Sequence, residues 1–194
     1  RQELIEKAAE YDDALLEKFL GDEPINVDEV VAAIRKGVIA CKVFPVLVGS
    51  ALKHMGIQLL LDAVIDYLPN PLDVPAIKGH PDNDSDAVIE RHPSDDEPFS
   101  ALVFKIISDK HGDLNFARVY SGKISAGTRI FNSTQRTKEN IARIWEMHAR
   151  QRIKREDAST GDIVAFVGLN KSITGDTLCD MREHIVLDRL QFPE

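Results

Sequence analysis

The stretch Leu102-Val103-Phe104-Lys105-Ile106-Ile107 marks the point where the hydrophobic pattern of this chain changes from helical to extended. Its β-branched and aromatic side chains favour a strand. Further short apolar stretches follow at near-regular spacing, separated by glycine-containing turns, at residues 116–120, 128–131, 141–147 and 163–167. Because no long helical pattern interrupts them, they predict a closed antiparallel barrel of about 95 residues, at residues 98–190.

The beginning of the chain has a helical pattern instead. Apolar residues recur at helical spacing over residues 4–19, and Gly21 fits the position just past a helix C-terminus. Asn26 followed three residues later by Glu29 has the form of a capping box, so a second helix is predicted from there to a stop at Gly37.

A strand and a third helix are predicted next, joined by a short loop. The segment Val43-Phe44-Pro45-Val46-Leu47-Val48 is apolar on both faces, as in a strand inside a sheet, with Pro45 at a bulge or an edge. The loop Gly49-Ser50-Ala51-Leu52-Lys53-His54-Met55-Gly56 then leads into an amphipathic helix at residues 57–68, which ends before Pro69. In this pattern, Ser50 could cap the following helix.

A change of composition separates the two halves. Residues 69–97 contain several prolines and two acidic runs, which indicates a linker, although the apolar residues within it also fit an ordered extended arm. The predicted organisation is therefore residues 1–68, a linker or arm at 69–97, and the barrel at 98–190.

The composition excludes several classes of protein. No apolar run approaches 18 residues, so no membrane-spanning helix is predicted. Cys41 and Cys179 lie far apart, and the six histidines show no ligand-like spacing, so neither a disulfide framework nor a metal site is expected. A reducing compartment, the cytoplasm, is the expected location.

The net charge of −8 is unevenly distributed. Residues 1–97 hold 9 basic and 20 acidic residues, whereas residues 98–194 hold the remaining 15 and 12. The second half is therefore the better candidate for contacts with phosphate, although a charge of +3 is also compatible with an ordinary surface.

A series of short motifs runs through the chain in order. Upstream are Gly49-Ser50-Ala51 and Asp62-Ala63-Val64-Ile65-Asp66-Tyr67-Leu68-Pro69. Downstream are Asp95-Asp96-Glu97-Pro98-Phe99-Ser100-Ala101-Leu102, Arg118-Val119-Tyr120-Ser121-Gly122, Arg143-Ile144, Met147-His148-Ala149, Gly161-Asp162-Ile163, Gly168-Leu169 and Thr174-Gly175-Asp176-Thr177-Leu178-Cys179. In order and spacing, these motifs resemble the elongation factor G family over nearly the whole chain.

The resemblance implies a two-part α+β fragment. Residues 1–68 would be the C-terminal part of a GTPase domain, an α/β piece with helices from an inserted subdomain, and residues 98–190 an antiparallel β-barrel of the translation-factor domain II type. The parent would use GTP and Mg²⁺ to move tRNA and mRNA through the ribosome and, with a recycling factor, to split spent ribosomes. The implied partners are the ribosome and the rest of the parent factor, with no membrane and a monomeric state.

The resemblance also assigns two candidate sites. Ser50, Ala51 and Leu52 would line the guanine pocket of the parent, with the Ala51 N–H facing O6 of the base and Lys53 shaping the wall. In the barrel, small-subunit ribosomal RNA would be contacted by a basic run, Arg150, Arg152, Lys154 and Arg155, because cationic side chains pair with phosphates. The alternative for this run is a solvated loop.

The motifs that hold GTP are absent from this sequence. It has no G-x-x-x-x-G-K-[ST] phosphate loop. Asp109-Lys110-His111-Gly112 fits D-x-x-G but lies between two barrel strands, and Asn170-Lys171-Ser172-Ile173 has Ile where N-K-x-D requires Asp. No catalytic or metal-binding residue is therefore assigned, and the chain alone is expected neither to bind GTP measurably nor to hydrolyse it.

Three other functions remain open at this point. One is the same fragment of a related translational GTPase, of the ribosomal protection or peptide-release type. Another is a non-catalytic protein-interaction module. A stand-alone enzyme is the third, but no nucleophile–base pair, metal cluster or cofactor loop in the sequence favours it.

Overall fold

The computed structural model describes residues 1–82, 86–109, 112–149 and 151–188. The chain divides into two compact units, Arg1–Val74 and Pro75–Glu194, called here the first and second units. The first unit contains helices α1 (Gln2–Ala9), α2 (Asp13–Leu20), α3 (Val27–Ile39) and α4 (Ile57–Tyr67). The second unit contains strands β1 (Ile77–His80), β2 (Ile89–Arg91), β3 (Ser100–Asp109), β4 (Gly112–Ser121), β5 (Ile124–Ser125), β6 (Arg129–Asn132), β7 (Thr137–Asn140), β8 (Arg143–His148), β9 (Gln151–Arg155), β10 (Asp157–Ala158), β11 (Ile163–Val167), β12 (Thr177–Cys179) and β13 (Val186–Leu187).

The prediction of a single helix over residues 4–19 is wrong, because the chain breaks into α1 and α2. Asp12 adopts an extended conformation, and its carboxylate accepts a hydrogen bond from the Leu15 N–H at 3.1 Å, so it starts a new helix as an N-cap. Lys36 of α3 also binds this carboxylate, at 2.5 Å. Gly21 closes α2, as predicted.

Helix α3 begins as predicted but extends further. The Glu29 carboxylate accepts from the Asn26 N–H at 3.0 Å, which confirms the capping box. The predicted stop at Gly37 is wrong, since the helix continues through it. Gly37 serves packing instead, because a Cβ atom there would lie 2.7 Å from Cγ2 of Val43.

The predicted strand at residues 43–48 is also wrong. The segment has no regular secondary structure, and no strand among the described residues of the first unit lies beside it to form a ladder. Its apolar side chains are consequently exposed, Val46 by 88% and Val48 by 94%. The predicted third helix is confirmed as α4, and Arg35 of α3 holds its C-terminal end by donating to the Asp66 carbonyl at 2.8 Å.

Residues 69–97, interpreted from the sequence as a linker or an extended arm, contain the strands β1 and β2. Both belong to a small antiparallel sheet with the order β13-β1-β2. Its apolar side packs in a cluster with Leu102, Cys179, Ile185 and Leu187. The division between the two units lies after Val74, near the start of this stretch.

The main sheet of the second unit has eight antiparallel strands in the order β7-β6-β12-β3-β4-β11-β8-β9. A short pair, β5 and β10, lies apart from this order. The sheet encloses one apolar core, whose largest fully buried side chains include Phe166, Ile130, Ile144 and Leu178. The alternation of buried and half-buried residues along β4 is the pattern expected of a strand with one face on a core.

The hydrogen-bonded order does not close into a ring among the described residues, because β7 and β9 remain its two edges. The predicted closure is therefore not seen, although the sheet is strongly curled. On β7, the Glu139 carboxylate accepts from the N–H groups of Asn170 and Lys171 at 2.6 and 2.9 Å. These bonds bring the β7 edge against the loop after β11. The antiparallel barrel-type domain and the α+β class predicted from the sequence are confirmed.

None of the helices in the described part of the chain combines the length and the apolar character needed to span a bilayer.

Candidate functional site

The Ser-Ala loop of the first unit is a tight turn closed by one pair of hydrogen bonds. Ser50 and Met55 form an antiparallel bridge in which each N–H donates to the other's carbonyl at 3.0 Å. Glycine is required on both sides of this bridge. A Cβ at Gly49 would lie 2.7 Å from the Met55 carbonyl oxygen, and Gly56 has a φ of +76°.

The loop is stabilised from within but leaves backbone donors exposed. The Ser50 hydroxyl accepts from the Lys53 N–H at 3.4 Å, so it braces the turn. Its alternative role as the cap of α4 is wrong, because Gly56 occupies the N-cap position and no side chain caps that helix. In the described residues, the N–H groups of Ala51 and Leu52 donate to no protein acceptor, and both residues are exposed.

The basic run predicted in the second unit lies on a strand and not in a loop. Strands β8 and β9 form a hairpin, and Ala149, in the turn, has a φ of +54°. Arg152, Lys154 and Arg155 all lie on β9, which is an edge strand of the main sheet. Arg150 lies outside the described residues. The sequence does not contain the signal for this hairpin, since no Asn-Gly or Asp-Gly pair marks its turn.

The basic residues of β9 fall on different faces. Ile144 pairs with Arg155 and is fully buried, so Arg155 lies on the core side. The Arg155 guanidinium binds Glu146 at 2.7 Å and lies 3.8 Å from Asp162, and these contacts raise its pKa above the usual arginine value. It is therefore engaged within the protein. Arg152 and Lys154 are exposed on the opposite face.

Arg152 and Lys154 share that face with an aromatic and a thioether side chain that the sequence did not assign to the site. Trp145 pairs with Lys154, Met147 pairs with Arg152, and directly opposed residues in an antiparallel pair lie on the same side. We call these residues, with Arg143, the outer face: Arg143, Trp145, Met147, Arg152 and Lys154. No acidic residue of the hairpin lies on it. In the sequence, the alternation Arg143-Ile144-Trp145-Glu146-Met147 was the signal that could have placed the β8 members of this face together.

The described residues of the motifs rejected as nucleotide-binding elements belong to the sheet or to a loop beside it. Asp109, at the end of β3, pairs with Gly112, at the start of β4. Asn170 and Lys171 follow β11, where Glu139 holds them.

No group of three or more potential metal-ligating side chains is found in the described residues. Burial raises the pKa of the Cys179 thiol above its usual value, so little reactive thiolate forms.

Comparison with known proteins bears on the second unit most directly. Residues 98–181 match the family described as elongation factor G domain 2. A crystal structure of a protein from Thermus thermophilus aligns with the whole chain, with a TM-score of 0.70 and 23% sequence identity. The chain spans 27% of the length of that protein, and at this identity the likeness shows the fold alone. The chain thus carries, in residues 98–181, a β domain of the translation-factor domain II type.

Proposed function

We propose that this chain is a fragment of elongation factor G, the ribosomal translocase, whose parent binds and hydrolyses GTP to move tRNA and mRNA. Within the parent, residues 1–68 form the guanine side of the GTPase domain, and the second unit docks on small-subunit ribosomal RNA in the cytoplasm. The observation that carries this proposal is the match of residues 98–181 to elongation factor G domain 2.

The exposed backbone donors of the Ser-Ala loop support a contact with guanine in the parent. The exposed N–H groups of Ala51 and Leu52 have no acceptor in the described residues, so either can donate to a carbonyl oxygen such as O6 of guanine. A net hydrogen bond contributes only about 0.5–1.5 kcal/mol. Association costs at least about 4 kcal/mol. We therefore expect GTP or GDP, with Mg²⁺, to bind only the parent, where phosphate-binding elements add their contacts.

Exposed apolar side chains support a place for the first unit inside a larger domain. On α4, Leu59 is 68% exposed and Ile65 75% exposed, and the apolar segment at 43–48 is similarly uncovered. Apolar surface of this extent in a water-facing position marks a surface that packs against another element. In the proposal, that element is the remainder of the GTPase domain.

The outer face of the β8–β9 hairpin carries the chemistry for docking on RNA. Arg152 and Lys154 supply positive charge for phosphates, and Trp145, opposite Lys154, supplies a ring on which an unpaired base can stack. Arg155, which was predicted to share this contact, is left out of it because Glu146 binds its guanidinium.

The test is co-sedimentation of the 194-residue chain with small ribosomal subunits over a series of salt concentrations. We expect binding that weakens steeply with salt, because each phosphate contact releases counterions. The variant Arg152→Ala/Lys154→Ala should bind more weakly, with the slope of log affinity against log salt reduced by about 2. Arg155→Ala should have a much smaller effect.

A matched control removes the same charge elsewhere in the second unit. Lys78 and Lys123 are exposed lysines on other strands or turns, so Lys78→Ala/Lys123→Ala has the same net charge as the test variant. Equal loss of binding in the two double variants would show a nonspecific charge effect and would refute the assignment of the outer face. Absence of binding by the wild type at low salt would refute docking by this chain.

A further inference from the structure

A second positively charged site lies at the other edge of the main sheet. An open cavity of about 350 Å³ lies between the β6–β7 hairpin and the loop after β11. It is lined by Arg129, Lys138, Glu139, Asn140, Gly168, Asn170 and Lys171. None of these residues belongs to the outer face.

The fold fixes three cations around this cavity. Arg129 pairs with Asn140 and Phe131 pairs with Lys138, which places Arg129 and Lys138 on one face of the β6–β7 hairpin. Lys171 comes from the opposite wall, where two hydrogen bonds from the backbone of the loop to Glu139 hold its Cα in place.

The protein offsets only part of the positive charge of the cavity, because three cationic residues and a single carboxylate, that of Glu139, line it. Within the described residues, no ion pair joins Arg129, Lys138 or Lys171 to a carboxylate. The one carboxylate in the wall is Glu139, and both of its oxygens are occupied. One accepts from the two loop N–H groups and the other from the Ser172 hydroxyl at 2.5 Å. The excess of positive charge around the cavity would attract an anion.

From this arrangement we infer that the cavity binds a phosphate group. Cationic side chains line two walls of the cavity and can pair with a tetrahedral anion, and the exposed amide side chain of Asn170 adds hydrogen-bond donors at the rim. The cavity volume accommodates one phosphate with its remaining water. The phosphate can come from a nucleic-acid backbone or from a small free anion. This inference goes beyond the proposed function and does not depend on the outer face.

The experiment is an NMR titration of the ¹⁵N-labelled chain with inorganic phosphate and, separately, with a short RNA duplex. Binding in the cavity should shift the backbone amides of Asn170 and Lys171 in a saturable manner, while the Trp145 indole signal reports independently on the outer face. The variants Lys138→Ala and Lys171→Ala should each weaken phosphate binding about two- to fivefold, as for the loss of an exposed ion pair. Lys78→Ala, which removes the same charge at a distance from the cavity, should leave the affinity unchanged.

The two ligands distinguish the sources of the phosphate. If RNA shifts the Asn170 and Lys171 amides and phosphate competes with it, the site holds a nucleic-acid backbone. If only phosphate produces the shifts, the site holds a small anion. Absence of saturable shifts with both ligands, or equal weakening by Lys78→Ala and Lys171→Ala, would overturn the inference. Each of these results can occur whether or not the chain binds ribosomal subunits.

Discussion

Replacing Glu139 tests how the curled sheet of the second unit is held together. Its carboxylate is 8% exposed and joins the β7 edge to the loop after β11 through the N–H groups of Asn170 and Lys171 and the Ser172 hydroxyl. The contact continues inward, because Ser172 accepts from the Asn132 side chain at 3.0 Å. In Glu139→Ala, this edge loses its polar connection to the loop.

The size of the expected loss of stability depends on whether each hydrogen-bond donor can bind water once the carboxylate is removed. Asn170 and Lys171 are exposed, so their N–H groups can turn to water and each loss costs about 0.5–1.5 kcal/mol. Ser172 is buried and loses a charged partner, which costs about 1.5–3 kcal/mol. Removing a buried charge recovers some desolvation energy. The combined range is about 2.5–6 kcal/mol, and we therefore expect the free energy of unfolding to fall by about 2.5–4 kcal/mol, the lower part of this range.

Urea denaturation followed by tryptophan fluorescence measures this change in the second unit alone, because the only tryptophan, Trp145, lies on β8. Glu139→Gln is the matched control. Its amide oxygen can still accept from the loop while its NH₂ donates to the serine hydroxyl, so we expect a loss of only about 1 kcal/mol. A change in Glu139→Ala of less than about 0.5 kcal/mol, the usual limit for surface substitutions, would refute the reasoning.

Other predictions concern both units. Gly168→Ala should destabilise the second unit by more than about 1 kcal/mol in the same assay, because φ is +105° there and a Cβ would lie 2.8 Å from the Asn140 carbonyl oxygen; unchanged stability would contradict that geometry. Hydrogen exchange should be fast at residues 43–48 and slow at 163–167, since only the latter are paired in a sheet; equal protection would exclude this difference. The pKa of Asp12 is lowered by its hydrogen bond with the α3 lysine and then by the backbone of α2, so its stabilising effect should be present above the ordinary aspartate pKa and disappear as the pH falls through the lower folded value. Circular dichroism of wild type and Asp12→Ala against pH measures this, and a stability difference that persists at the acidic end would contradict it.

The second unit could be predicted from local pattern because its strands face a core of their own. Alternation along β4 and the fully apolar β11 are both consequences of burial within the same unit. The order of strands could not be predicted in this way, since β12 pairs with β3 and β6 through contacts distant in sequence. The small sheet was missed because β13 has only two residues, too few for any periodicity.

The first unit shows where prediction from the hydrophobic pattern fails. Apolar residues recur at helical spacing throughout residues 4–19, so this spacing does not reveal the break between α1 and α2. The break depends on the extended conformation of Asp12 and on its capping hydrogen bond. Apolarity on both faces of residues 43–48 predicted a buried strand, yet a strand also requires neighbours to accept its hydrogen bonds. Composition specifies which side chains favour burial and not whether a partner strand is adjacent.

The two candidate sites also differed in how far their structure depends on contacts between residues distant in sequence. The Ser-Ala loop was located from its place before an amphipathic helix and from the resemblance, and the glycines on both sides of its bridge are a local requirement of the turn. The basic run was found as a cluster of Lys and Arg residues in the sequence. Its division between two faces depends on the register of β8 against β9, which places Ile144 opposite Arg155. Glu146 and Asp162, which hold Arg155, could not be assigned to it from spacing.

The position of β9 at the edge of the main sheet leaves one side of this strand without a partner strand among the described residues. An edge strand offers unpaired backbone groups to any other strand, and an exposed Ile153 would favour such pairing. Arg152 and Lys154, on either side of it, oppose the approach of a second copy because their charges would have to be buried together. The same two side chains thus oppose edge-to-edge pairing, and we expect apolar replacements at these positions to favour extension of the sheet between molecules.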